Sequence, residues 1–190
     1  MPDDPKAPAI RDTIFSAILP DEAAAKSADE TTRRIFLEHA LDGRPRPLSQ
    51  YHITVLYFGL YVDLGDDGVE WAKRACAAAA GRTTPFQATL NQIKSFSSHP
   101  GRAAPLVLAN EQKHAGFDAC YQAAFDEARA VGLEVKRERY TPHFTTAYSM
   151  KRVSPQAIEP ISWEVGELVL IRSYVGQTRY EELGRWCLTA

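Results

Sequence analysis

The run Tyr51-His52-Ile53-Thr54-Val55-Leu56-Tyr57-Phe58-Gly59-Leu60 concentrates Ile, Val, Leu, Tyr and Phe in ten residues. Such β-branched and aromatic density favours a buried strand, and between Pro47 and Gly65 the run is too short for a typical helix. Successive side chains of a strand point to opposite faces, so His52 and Thr54 share one face. A second stretch, Thr141-Pro142-His143-Phe144-Thr145-Thr146-Ala147-Tyr148, repeats the pattern, with His143 and Thr145 again two apart. His-x-Thr spacing arises by chance often enough to mean little alone. Here both copies fall in strand-like runs 91 residues apart, about half the chain. That fits one strand from each half of a duplicated fold.

Outward from these runs, residues 1–10 read as a loose tail and Thr13 to Leu19 as a first strand closed by Pro20. Asp21 to His39 reads as a helix and Asp42 to Pro47 as a loop. Asp66 and Asp67 can cap a second helix carrying Val69, Ala72, Cys76 and Ala79 on one face, with Gly81 as a left-handed stop. Phe86 to Ile93 and Leu106 to Ala109 read as a hairpin-like pair. Phe117, Tyr121, Ala124, Ala128 and Val131 recur at helical spacing before Gly132. A loop through Pro155 and Pro160 then leads to strands over Val165–Tyr174 and Tyr180–Leu188. Strands on both sides of each helix, many joined by short connections, predict an α+β fold with mostly antiparallel sheets.

With 190 residues the chain has the length of one domain, residues 1–190. A net charge of −2 and a pI near 6.2 argue against coating a long stretch of nucleic acid, which needs many basic side chains. Cys76, Cys120 and Cys187 are odd in number and lack metal-type spacing, which predicts reduced core residues of a cytoplasmic protein. No run of 18 apolar residues occurs, so no membrane span is expected.

If the two His-x-Thr strands lie side by side, two imidazoles and two hydroxyls meet in one small volume. Opening a cyclic phosphodiester needs a base for the attacking oxygen and an acid for the leaving one. Histidine, with an ordinary pKa near 6.5, can supply both near neutral pH. Each threonine can donate to a non-bridging phosphate oxygen. That division of labour requires neither metal nor cofactor. His39, His99 and His114 have no such partner and read as surface or loop residues.

The chain resembles the 2H phosphoesterases, and within them the bacterial 2′-5′ RNA ligase/RNA 2′,3′-cyclic phosphodiesterase group. The resemblance runs through Ile18-Leu19-Pro20-Asp21-Glu22, His52 to Gly59, Pro142 to Ala147, and Val169 to Ser173 with Tyr180 and Leu183. It implies two lobes, each an antiparallel sheet backed by outer helices, related by a pseudo-two-fold axis around a central cleft. It also implies a metal-independent hydrolase of 2′,3′-cyclic phosphates, with possible reverse 2′-5′ ligation, His52 as proton donor and His143 as proton acceptor. RNA ends or cyclic nucleotides would be the partners of a monomeric chain.

Members of that group tend to carry Arg two residues before the second histidine and another shortly after the motif, where this chain has Thr141 and Tyr148. Arg139, Lys151 or Arg172 can replace the phosphate contact, and Tyr51, Tyr57 or Tyr148 can stack on a base. Arg44 and Arg46 read as solvated loop residues. Two alternatives stay open: a non-catalytic nucleotide- or RNA-binding module on the same fold, and a phosphoesterase for a non-RNA cyclic phosphate.

Overall fold

The computed structural model describes residues 12–190, so the tail expected over residues 1–10 lies outside the described residues. In chain order the elements are β1 (Thr13–Ile18), α1 (Glu22–Glu38), β2 (Arg44–Pro45), a 3-10 turn at Leu48–Gln50, β3 (Ile53–Leu60) and α2 (Tyr61–Ala80). They continue as β4 (Phe86–Ser95), β5 (Ala104–Ala109), α3 (Ala115–Ala130), β6 (His143–Ser149), β7 (Gln156–Val165), β8 (Glu167–Tyr174) and β9 (Arg179–Cys187). Asp21 caps α1 by accepting from the Ala24 N–H at 2.7 Å, which satisfies one of the free donors of the first turn.

The strands lie in the order β7-β4-β5-β6-β3-β1-β8-β9, with β2 added beside β6 and every pair antiparallel. This order is symmetric about its centre. On one side β1 and β3 are neighbours joined through α1; on the other β5 and β6 are neighbours joined through α3. β8 and β4 flank them, and β9 and β7 form the edges. The inner strands of the two four-stranded halves, β3 and β6, pair at Ile53 opposite Phe144, so the expected pair of sheets is fused at a seam into one.

Alternation along the strands separates two apolar clusters. Ile14, Ile53, Leu106, Phe144 and Leu170 join the apolar faces of all three helices in the main core. The intervening residues Phe15, Ala17, Val169 and Ile171, with Leu19 and Tyr180 at the margin, form a small second cluster. It lies on the opposite face of β1 and β8, and the site is built on that face.

Several local expectations are corrected. The loop read through Pro155 and Pro160 is the edge strand β7. Pro160 has no N–H for a ladder, and it falls where the β4–β7 register already shifts, between Leu90 opposite Ile161 and Gln92 opposite Ala157. The second helix starts at Tyr61 and breaks at Gly65 (φ +62), and Asp66 accepts from the Tyr61 hydroxyl at 2.5 Å. Gly81 keeps a right-handed conformation at φ −65, whereas Gly132 after α3 takes φ +90, as a left-handed stop requires. Cys76 and Cys120 are buried and unpaired, but Cys187 is exposed. Among the described residues no helix is long and apolar enough to cross a membrane.

Candidate active site

The seam decides which groups meet. With Ile53 opposite Phe144 in an antiparallel register, the residue before one is level with the residue after the other. His52 is therefore level with Thr145, and His143 with Thr54. Ile53 and Phe144 are fully buried, while the four motif residues alternate to the other face and are partly exposed. His52 stands one residue before the first ladder position of β3, and the alternation carries through it.

Each imidazole is held in the same way. The Nδ1 of His52 lies 2.8 Å from the Gln50 carbonyl, and the Nδ1 of His143 lies 2.7 Å from the Thr141 carbonyl. A carbonyl can only accept, so Nδ1 carries the proton in the neutral ring and Nε2 keeps its lone pair. The rings are also packed. His52 stacks on Phe15 at 5.0 Å and meets the edge of Tyr180 at 5.4 Å; His143 lies 4.7 Å from Phe96. By contrast, Thr146 beside the motif donates its hydroxyl to the Leu106 carbonyl and is fully buried.

Burial pushes the His52 imidazole down to about 4, against the Gln50 hydrogen bond; the Arg46 guanidinium, and His143 whenever it is charged, push the same way as burial. His143 is also lowered, first by burial and then by Lys94, against the Thr141 hydrogen bond. Both rings are thus harder to charge in the free protein than an ordinary histidine. A bound anion would reverse the sign by favouring the imidazolium.

Beyond the seam, β3 and the segment 134–141 that leads into β6 border a cavity of about 570 Å³. Thr54 and His143 line it, with Tyr57, Phe96, Tyr121, Tyr140, Lys136 and Arg139 among its walls. His52 is not in this wall; its ring packs against Phe15 and Tyr180, within the influence of the Arg46 charge. Among the described residues no three His, Cys, Asp or Glu side chains gather as a metal site would require.

The family model of the 2′-5′ RNA ligase superfamily matches residues 19–177. The chain belongs to the 2′-5′ RNA ligase superfamily. Solved structures of the same fold include E. coli LigT with 3′-AMP, at 24% identity, TM-score 0.66, over 94% of this chain and 98% of that one. E. coli LigT with phosphate matches at 22% identity, TM-score 0.65, over 96% of this chain and 100% of that one. Thermus thermophilus TT0787 matches at 21% identity, TM-score 0.71, over 93% and 97%. Comparison with curated protein sequences finds no significant match. Membership places the chain in a family named for phosphodiester chemistry.

Around this candidate site, the residues expected to bind substrate separate. Tyr57 and Arg139 line the cavity. Tyr148 is exposed outside it, with the Arg46 guanidinium 5.9 Å above its ring. Arg172 is not brought to the cavity: Nε and Nη2 donate to Asp12 at 3.0 and 2.8 Å, and the guanidinium lies 3.6 Å from the Tyr61 ring centroid. Lys151 donates to the Ala40 carbonyl, and Tyr51 is a core residue stacked on Phe144. His114 is a half-buried loop residue at the start of α3, packed against Phe86 and Phe117.

Sequence reading missed Arg46, Tyr180, Phe15, Phe96 and Lys94. For Arg46 a signal existed. Arg44 and Arg46 each precede a proline, which biases both toward extended backbone, and β2 is that extended segment paired to β6.

Proposed function

We propose that this chain hydrolyses 2′,3′-cyclic phosphates, at RNA ends or in nucleotides, to 2′-phosphates, with His52 as proton donor and His143 as proton acceptor. The observation that carries this reading is the crossed pairing at the seam. Each imidazole is tied at Nδ1, which leaves Nε2 free, and is level with the other motif's threonine, so the four side chains stand on one face at the seam.

In this reading Thr54 and Thr145 donate to the non-bridging oxygens. Neutral His143 accepts a proton at Nε2 from water as the water oxygen bonds to phosphorus. The bond from phosphorus to the 3′-oxygen breaks, and Nε2–H of protonated His52 gives that oxygen its proton. The two rings then exchange protons with solvent. With a ribose 5′-hydroxyl in place of water, the same steps form a 2′-5′ linkage: its oxygen bonds to phosphorus, His143 takes its proton, and the 3′-oxygen leaves with the proton from His52. Because His52 is the harder ring to charge in the free protein, the phosphate itself must raise it. No step requires a metal, and turnover should survive a chelator. E. coli LigT binds 3′-AMP and phosphate, and we carry that ligand class to the present cleft.

The test is the pH dependence of kcat/KM for a nucleoside 2′,3′-cyclic phosphate. One imidazole must be charged and the other neutral, and both are depressed in the free protein. The expected profile is a bell with its maximum below the ordinary histidine value of about 6.5, falling toward pH 8. A rate that is flat or rising from pH 6 to 9, or absent with chromatographically unchanged substrate, would overturn the reading.

A further inference from the structure

We propose that Arg46 is the phosphate-binding cation of this site, its guanidinium seated beside His52 and Tyr180 to receive a non-bridging oxygen. The inference rests on the reading of the His-x-Thr patch as a phosphate site and assigns that site a residue from outside both motifs.

The first support is the way the backbone holds Arg46. Asp42 accepts from the Ser149 hydroxyl and from the Met150 and Lys151 N–H groups, at 2.9 and 3.2 Å for the latter two. Gly43 follows at φ +88, where a Cβ would stand 2.4 Å from the Tyr148 carbonyl oxygen, so no side chain fits. Arg44 and Pro45 then pair with Tyr148 and Ala147, and the Arg46 N–H donates to the Thr146 carbonyl at 2.7 Å. A loop tied at every second residue to the strand that carries His143 and Thr145 gives its next side chain a fixed origin.

The second support is what surrounds the guanidinium. Nη2 donates to the Tyr180 hydroxyl at 2.9 Å, and the Tyr180 ring meets His52 edge-on at 5.4 Å. Arg46, Tyr180 and His52 therefore share one corner. Nε is buried and has no hydrogen-bond partner. Among the described residues no carboxylate pairs with Arg46; the other arginines with ion pairs, such as Arg172 and Arg185, have theirs. A buried guanidinium N–H without an acceptor is costly, and a permanent cation beside an imidazole that must become charged adds to the cost. One dianionic or monoanionic phosphate seated between them removes both costs: it gives Nε an acceptor and places negative charge between two positive groups. Guanidinium is the side chain whose planar fork matches phosphate oxygens.

The test is calorimetric titration of inorganic phosphate into the wild-type chain, R46K and R46Q at pH 6, with melting temperature as the folding check and cyclic-phosphate kinetics in parallel. A lost charge-assisted hydrogen bond predicts that R46Q weakens phosphate binding about tenfold or more, with R46K between it and wild type. KM should rise in R46Q by a similar factor, and all three should melt within a few degrees. Unchanged phosphate affinity in R46Q, or no saturable binding by the wild type, overturns the proposal. So does equal loss in R46K and R46Q accompanied by a large fall in melting temperature, which would mark a purely structural residue. If R46Q loses phosphate while the wild type turns over no cyclic phosphate, Arg46 stands and the catalytic reading falls.

Discussion

Alanine at His52 or at His143 is expected to lower kcat for a nucleoside 2′,3′-cyclic phosphate by about 10²–10⁴-fold, the usual contribution of a positioned acid or base. Both losses should be of this size because the two imidazoles act in one step, and the double variant should be little worse than either single one. The rings also pack, His52 on Phe15 and His143 near Phe96, so each variant needs a circular-dichroism spectrum matching the wild type. A near-normal kcat in either variant would remove that histidine from the chemistry. A loss confined to KM would make it a binding group only.

The second large effect concerns the seam. Phe144 is fully buried, stacks on Trp163 at 5.3 Å and on Tyr51 at 6.2 Å, and is the β6 member of the pair that joins β3 to β6. Truncating a buried phenylalanine costs about 3–5 kcal/mol, through lost transfer free energy and the cavity left behind. Against a total stability of about 5–15 kcal/mol, this is a substantial part of what keeps the chain folded. Phe144→Ala should therefore shift the urea midpoint by an amount equivalent to that loss, and it should depress turnover at temperatures where the chain is still folded, because Phe144 sets the register that levels His143 with Thr54. A loss under about 1 kcal/mol would mean that the seam is not built on this ring.

Much of this architecture was legible because local preference and tertiary setting agree. β3 and β6 are dense in β-branched and aromatic residues, and Gly132 stops α3 where its apolar period ends. The elements that escaped are those whose form depends on a distant partner. β7 contains Pro160, which reads as loop until a neighbouring strand with a broken register makes it a tolerable edge. β2 is two residues long and exists only because β6 lies beside it. Arg46 belongs to that class: nothing local separates a solvated loop arginine from one whose Nε is buried beside a histidine. Arg172 shows the reverse case, an arginine beside the C-terminal motif that Asp12 holds elsewhere. The pair of His-x-Thr strands was legible for a different reason. The repeated His-x-Thr marks two equivalent strands, and a two-fold arrangement of halves brings equivalent strands to its centre.

The central claim is that the imidazoles of His52 and His143 hold one phosphate between them, and it can be read directly by nuclear magnetic resonance of the five histidine rings during titration with inorganic phosphate. The account predicts that the signals of His52 and His143 move together with a common midpoint, and that both rings become easier to protonate, while His39, His99 and His114 stay still. Movement of one of the pair without the other, or separate midpoints for the two, would contradict it.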